Sequence, residues 1–136
     1  MKILIVEDDP TAAQFFSQAA QTRGYSDIDI AESAEEALAF LVHNPYDLIT
    51  LDILLPGASG LEILSVIRSI CPQTIIAIIS GHLSDDSDHD AVAFADTALS
   101  KPVSLDVLQT LFDSSARIKK EMETIKNLSE LDTEEA

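Results

Sequence analysis

The chain has 136 residues, of which 46% are hydrophobic, so it is long and apolar enough to form one globular domain with its own core. Its 24 acidic and 8 basic residues give a formal net charge of −16, which argues against binding to the phosphate backbone of nucleic acids. The single cysteine, Cys71, cannot form an internal disulfide, which fits a reducing compartment. Because no signal-peptide pattern opens the sequence and no apolar run approaches the ~18 residues of a membrane span, we expect a soluble cytoplasmic protein.

Apolar runs alternate with helix-like segments along the chain. The runs cover residues 2–6, 27–31, 47–51, 74–79 and 97–100. Near-continuous apolar runs are typical of parallel strands that are buried on both faces. Right-handed crossover connections would then place helices on both sides of the sheet, which predicts a three-layer α/β/α sandwich.

The predicted helices begin at recognisable caps. Asp9 precedes Pro10 as an N-cap precedes the first helical residue, and Gly24 follows the end of the same helix. A serine followed three residues later by a glutamate, the pattern of a capping box, occurs at Ser33 and again at Ser59. These signals predict helix starts just after each cap.

The last helix is predicted to begin near Ser104 and to continue past residue 120, where a helix that only packs on this sheet should end. An apolar stripe supports the continuation and consists of Ile118, Met122 and Ile125. The sequence therefore divides into a domain over 1–119 and a helical extension with an acidic tail over 120–136, and leaves no room for a second globular domain. We expect the tail from Glu130 onwards to be frayed, and the extension to mediate a homodimer or a partner contact.

Acidic and basic side chains lie where the predicted strands end. Glu7 and Asp8 follow the first run, Asp52 follows the third, and Lys101 closes the last run before Pro102. The carboxyl ends of parallel strands meet at one edge of the sheet, where such folds bind their ligands. The sequence thus predicts a small cation-dependent site, in which a nucleophilic aspartate could carry a phosphoryl group.

Together these residues resemble the receiver domain of bacterial two-component response regulators. The elements that carry the resemblance are, in order, Glu7-Asp8, Asp52, Pro56 with Gly60, Ser80-Gly81 and Lys101-Pro102. The resemblance covers about residues 1–119. It implies a flavodoxin-like (βα)5 fold with the parallel strand order 2-1-3-4-5.

The resemblance also implies the chemistry of the site. Asp52 would accept a phosphoryl group from a phosphohistidine of a sensor histidine kinase or phosphotransfer protein, or from a small donor such as acetyl phosphate. Mg²⁺ would be held directly by Asp8 and Asp52, through water by Glu7, and by the main-chain carbonyl of Leu54. Three neighbouring carboxylates would also raise acid pKa values when no cation is bound.

Three further residues are implied on the phosphoryl side of the site. The Lys101 ammonium would neutralise phosphoryl charge, while the Ser80 hydroxyl and the Gly81 amide would hydrogen-bond phosphoryl oxygens. The chain would then signal as a stand-alone receiver through contact with a downstream protein whose identity the sequence does not give.

The chain departs from the family pattern before the lysine. Receivers usually carry an aromatic residue three positions earlier, where this chain has Ala98, so the usual aromatic switch is absent. The Asp-rich segment 82–90 leads into a short predicted helix over 91–95. The sequence from Asp86 does not match a calcium-binding loop, because Ala91 stands where the turn glycine is needed and Thr97 stands where the bidentate glutamate is needed.

Two other function classes remain open from the sequence. The missing aromatic would suit a binding scaffold in which phosphorylation no longer matters. An aspartate-nucleophile phosphatase of the haloacid-dehalogenase kind would need an acid two residues after Asp52, and that position is Leu54. The phosphoacceptor interpretation is the leading one, and it predicts a signalling domain that is not a turnover enzyme.

Overall fold

Five parallel strands form the central sheet of the computed structural model, which describes residues 1–56, 60–81 and 93–135. The strands are β1 (Lys2–Val6), β2 (Asp27–Ala31), β3 (Leu48–Leu51), β4 (Ile75–Ser80) and β5 (Thr97–Ser100). Their order across the sheet is β2-β1-β3-β4-β5, and every neighbouring pair is parallel. The predicted fold class and strand order are therefore confirmed, and the strand limits differ from those predicted by at most one residue.

Helices cover both faces of the sheet. They are α1 (Pro10–Gln21), α2 (Ala34–His43), α3 (Gly60–Ile70), α4 (Leu105–Lys126) and α5 (Leu128–Glu135). No helix in the described part of the chain is long and apolar enough to span a membrane.

Each face of the sheet has its own hydrophobic core, because successive side chains of a strand point to opposite sides. In β1, Leu4 and Val6 pack towards α2 and α3, whereas Ile3 and Ile5 pack towards α1 and α4. Phe112 of α4 is fully buried in the second core, and burial of such a side chain contributes ~1.5–3 kcal/mol. This packing fixes the sheet from both sides and leaves its carboxyl edge to carry polar residues.

The helix caps follow the sequence signals where the structure describes them. The Asp9 side chain accepts a hydrogen bond from the Thr11 amide, and Ser104 caps α4 through the Val107 amide. Gly24 has a φ of +86°, a left-handed conformation that costs glycine little. The expected cap Ser59 lies outside the described residues.

At Ser33 the expected capping box is only half formed. The serine hydroxyl accepts from the Glu36 amide at 3.1 Å, as predicted. The Glu36 carboxylate instead accepts from the amide of Glu32, one residue before the cap, at 3.4 Å. The serine alone therefore makes the predicted capping contact.

Two expectations about irregular segments meet different outcomes. The acidic tail, expected to be frayed, is helical over Leu128–Glu135, and its first turn is closed by the Glu130 amide on the Asn127 carbonyl at 3.1 Å. The Asp-rich segment 82–90 lies outside the described residues. Of the short helix expected over 91–95, the described residues 93–95 form turns and a bend.

Helix α4 runs across the expected domain boundary at residue 119 without a break. Its buried residues end at Ser115, after which the predicted apolar stripe is largely exposed. The exposed fractions are 52% for Ile118, 39% for Met122 and 57% for Ile125. After Lys119, which still contacts Asp47, the residues of α4 are exposed. The assignment of two separate units stays a prediction.

Candidate functional site

The register of the sheet brings the predicted acids together. Val6 of β1 lies opposite Leu51 of β3, so that the next residues, Glu7 and Asp52, leave the sheet side by side. The Asp52 amide donates to the Val6 carbonyl at 3.0 Å, and the Glu7 amide donates to the Ala31 carbonyl at 2.9 Å. Both main chains are thus held beyond the last paired residues of their strands.

Glu7, Asp8 and Asp52 form a compact carboxylate cluster. One oxygen from each lies within 4.8 Å of the others. Glu7 and Asp52 are buried, at 2% and 6% exposure, whereas Asp8 is exposed. Because like charges at this separation repel one another, the cluster needs a positive partner to stay ionised.

Lys101 supplies such a partner from the end of β5. Its ammonium donates to both Glu7 carboxylate oxygens, at 2.8 Å and 3.0 Å, and to Asp52 Oδ2 at 3.0 Å. The main-chain amide of Lys101 donates to the Ser80 carbonyl at 3.0 Å, which anchors the lysine to the end of β4. The sequence placed the Lys101 ammonium in the same site as Asp52, but nothing in it indicated that the ammonium would contact both oxygens of Glu7.

Protonation in the cluster follows from burial and charge. Burial raises the pKa of Glu7 to about 7, the hydrogen bond from Lys101 opposes that rise, and the neighbouring Asp52 charge adds to it. Burial alone would lower the pKa of Lys101, but its hydrogen bonds to Glu7 and Asp52 and their charges outweigh burial and raise it. The lysine therefore stays charged, while Glu7 titrates near neutral pH.

Asp52 has a second polar contact beside the lysine. Its Oδ1 accepts a hydrogen bond from the Leu54 amide at 3.0 Å, and the Leu54 side chain is 52% exposed. The two oxygens of Asp52 thus have different partners, because Oδ2 receives the ammonium. These two contacts fix the orientation of the Asp52 carboxylate.

Ser80 and Gly81 lie at the same edge of the sheet. Ser80 is the last residue of β4 and is fully buried, and Gly81 follows it at the surface. A side chain at Gly81 would meet no atom within 4 Å, so its amide, rather than the lack of a side chain, is what a ligand could use.

Ala98 lies in β5, three residues before Lys101. It pairs with Ile78 in the sheet and packs, half-buried, against the core on the α2 and α3 side. The position expected for an aromatic switch is therefore filled by a small side chain that joins the core.

The donor set fits a small hard cation. Carboxylate oxygens are the ligands that Mg²⁺ prefers, and it commonly binds through one or two carboxylates while keeping several waters. The Glu7, Asp8 and Asp52 oxygens are close enough to surround one such ion. Lys101 lies against two of the same carboxylates, so the ammonium and a cation would share their charge.

Comparisons with known proteins agree with this geometry. Residues 3–113 match the family described as the response regulator receiver domain. The transcriptional regulatory protein MalR of Bacillus subtilis is 33% identical over 98% of this chain and 59% of that protein. The transcriptional regulatory protein DltR of Streptococcus agalactiae is 32% identical over 79% of this chain and 48% of that protein.

Solved structures give the same result at the level of the fold. The CheY-like response regulator receiver domain protein of Methanospirillum hungatei superposes with a TM-score of 0.79 at 28% identity, covering 88% of this chain and 97% of that one. The chain spans about half the length of the curated relatives it matches. With the family match, the strand order and the carboxyl-edge cluster in agreement, the chain belongs to the response regulator receiver domain family.

Proposed function

We propose that the chain is a phosphoacceptor in a two-component signalling pathway, with Asp52 as the residue that carries the phosphoryl group. The observation that supports this most directly is the position of Lys101, whose ammonium lies 3.0 Å from Asp52 Oδ2 in a cluster of buried carboxylates. A carboxylate held beside a fixed positive charge can approach an anionic phosphoryl donor that it would otherwise repel.

The proposed reaction moves a phosphoryl group from nitrogen to oxygen. An Asp52 carboxylate oxygen attacks phosphorus, the phosphorus–nitrogen bond of a phosphohistidine breaks, and the departing imidazole keeps the electron pair and takes a proton from solvent. Phosphoryl transfer asks little of a protein beyond positioning and charge neutralisation. The Lys101 ammonium would neutralise negative charge on the phosphoryl oxygens. The Ser80 hydroxyl and the Gly81 amide would hydrogen-bond the same group.

Mg²⁺ is the proposed cofactor. Asp8 and Asp52 would bind the ion directly, Glu7 through water, and the Leu54 carbonyl would complete the protein ligands. When bound, the ion neutralises charge on the phosphoryl oxygens. Leu54 also orients the Asp52 carboxylate, because its amide donates to Asp52 Oδ1.

The proposed partners are proteins. The donor would be a sensor histidine kinase or a histidine phosphotransfer protein in the cytoplasm, and the output a downstream protein whose affinity changes with phosphorylation. A net charge of −16 supports protein contact over direct contact of this domain with nucleic acid. In this role the chain is itself phosphorylated and dephosphorylated with each signal, and it does not act as an enzyme on a separate substrate.

The apolar stripe of α4 supports a proposed association surface. Ile118, Met122 and Ile125 follow one another on one helix face beyond the buried part of α4. Exposed apolar side chains at this spacing are typical of helices that pack against another helix. We therefore assign homodimer formation or partner contact to this stripe.

A second candidate function is a binding scaffold without phosphorylation. It is favoured by Ala98, which removes the aromatic ring that usually transmits the signal. The retained cluster of Glu7, Asp8, Asp52 and Lys101 favours the phosphoacceptor instead, since a scaffold has no need of mutually repelling acids of which two, Glu7 and Asp52, are buried.

Incubation with acetyl phosphate separates the two functions. A phosphoacceptor gains the mass of one phosphoryl group when Mg²⁺ is present and none when a chelator removes the metal. A scaffold gains none under either condition. Binding of a fluoride phosphoryl mimic, followed by calorimetry with and without Mg²⁺, gives an independent readout of the same site.

A further inference from the structure

A dense set of hydrogen bonds surrounds Arg68 in the last turn of α3. Its Nε donates to the Phe94 carbonyl at 2.8 Å, and one Nη donates to the carbonyls of Thr74 at 2.8 Å and Pro72 at 3.3 Å. The other Nη donates to the Asp96 carboxylate at 2.9 Å. One guanidinium thus joins the end of α3, the residues before β4 and the residues before β5.

Asp96 continues this network into the sheet. The same carboxylate oxygen that receives Arg68 also accepts from the Ile76 amide at 2.8 Å. The Asp96 amide donates to the Ile76 carbonyl at 2.8 Å. Asp96 is therefore tied to β4 by its main chain and its side chain, one residue before Thr97, where β5 begins.

This attachment matters because β5 pairs with β4 alone among the described strands. It has four residues, lies at the edge of the sheet, and none of its residues is fully buried. Its far end leads directly into Lys101, whose ammonium reaches Glu7 and Asp52. Since each strand residue advances the chain by ~3.3 Å, a slip of one residue would take that ammonium out of hydrogen-bond reach.

We propose that Arg68 and Asp96 are positioning residues that fix the register of β5 and thereby hold Lys101 on Asp52. The proposal rests on the proposed role of Asp52 as phosphoacceptor. Asp96 is half-exposed, so the ion pair itself contributes little to stability and its main effect is geometric. The carboxylates proposed to bind Mg²⁺ follow β1 and β3, so their main-chain positions do not depend on this pair.

The test uses Asp96→Ala and Arg68→Ala, with Asp27→Ala as the matched control. Asp27 is the exposed first residue of β2, the strand at the opposite edge of the sheet. Amide hydrogen exchange reports the register, because the Lys101 amide is bonded to Ser80 and the Asp52 amide to Val6. We expect faster exchange at Lys101 in both variants, unchanged exchange at Asp52, and no change in the control.

The reaction provides the second readout. Because small misplacements of reacting groups have large kinetic effects, we expect labelling by acetyl phosphate to slow about ten-fold in both variants. Mg²⁺ affinity should stay at or above the wild-type value, because a displaced ammonium competes less for Glu7 and Asp52, whereas a general loss of folding would lower that affinity.

The outcomes are distinguishable from a failure of the proposed function. Wild-type exchange at Lys101 in the two variants would overturn the positioning role, whether or not the protein is phosphorylated. Faster exchange with an unchanged labelling rate would overturn it as well. A wild-type protein that is never labelled would contradict the phosphoacceptor proposal instead, and the exchange comparison would still decide whether the pair holds Lys101.

Discussion

Lys101 donates hydrogen bonds to both carboxylate oxygens of Glu7, at 2.8 Å and 3.0 Å. The lysine follows β5 and the glutamate follows β1, so the contact spans the carboxyl edge of β3 and β4. It gives the buried Glu7 carboxylate a positive partner and leaves the same ammonium within reach of Asp52. Charge balance in this site is thus shared among Lys101, Glu7 and Asp52.

The raised pKa of Glu7 predicts a pH-dependent stability in the absence of metal. The ordinary value for this carboxyl is 4.5 and the folded value is about 7, so between these pH values the folded state binds more protons than the unfolded state. Stability should therefore fall as pH rises through this window, by on the order of 1–3 kcal/mol. Urea unfolding in the presence of a chelator measures this.

Glu7→Gln should remove most of this dependence of the unfolding free energy on pH, because the side-chain amide does not titrate. Glu121→Gln, an exposed position on α4, is the control and should keep it. If the unfolding free energy changes equally with pH in the wild type and in Glu7→Gln, another group dominates the pH dependence.

Asp8→Asn should weaken Mg²⁺ binding by at least several-fold and slow phosphorylation with it, since the variant removes one anionic ligand. Asp9→Asn is a close control, because Asp9 caps α1 through the Thr11 amide and asparagine caps equally well. Titration with Mg²⁺ checks both variants. An unchanged affinity in Asp8→Asn would remove this residue from the metal site.

The apolar stripe of α4 predicts self-association or partner binding. Ile125→Glu places a charge on the stripe and should shift sedimentation towards the monomer or abolish capture of the partner protein. Thr124→Glu adds the same charge at the neighbouring exposed position and should change neither. A wild-type protein that stays monomeric at all concentrations, with partner capture unaffected by Ile125→Glu, would contradict the assignment.

Ala98→Tyr should leave phosphorylation of Asp52 intact and should not strengthen phosphorylation-dependent partner binding. The alanine packs against the core on the α2 and α3 side and has no ring that could turn inward. Signalling is therefore expected to use the segments after Asp52 and Ser80. Phosphorylation would shift these segments towards a second conformation, for which the partner's binding free energy is more favourable by ~1–3 kcal/mol. Calorimetry with a phosphoryl mimic checks this, and a large gain in affinity would show that the ring restores a switch.

The parts of the fold that depend on local chemistry were predictable from the sequence. The apolar runs defined the strands to within one residue, and Asp9 and Ser104 cap the helices that they were expected to start. The strand order followed from the family resemblance and is confirmed. Each of these rests on residues close together in sequence or on a pattern spread over the whole chain.

The features that were missed depend on side chains brought together from distant positions. The Lys101–Glu7 contact joins residues 94 positions apart, and the Arg68–Asp96 contact joins residues 28 apart. Neither follows from periodicity or capping, because each needs the final position of β5 against its neighbours. The tail from Glu130 was expected to fray on its acidic composition, but acids favour the first turn of a helix, where Glu130 lies in α5.

Mass spectrometry of the modified peptide shows directly whether Asp52 carries the phosphoryl group. Protein treated with acetyl phosphate and Mg²⁺ is digested and the modified residue is identified, with Asp52→Asn treated in parallel. Asp52→Asn should stay folded, since the change removes one of three repelling acids. We predict one phosphoryl group located on Asp52 and none on the variant. A group located on any other residue, or retained by the folded variant, would show that Asp52 is not the phosphoacceptor.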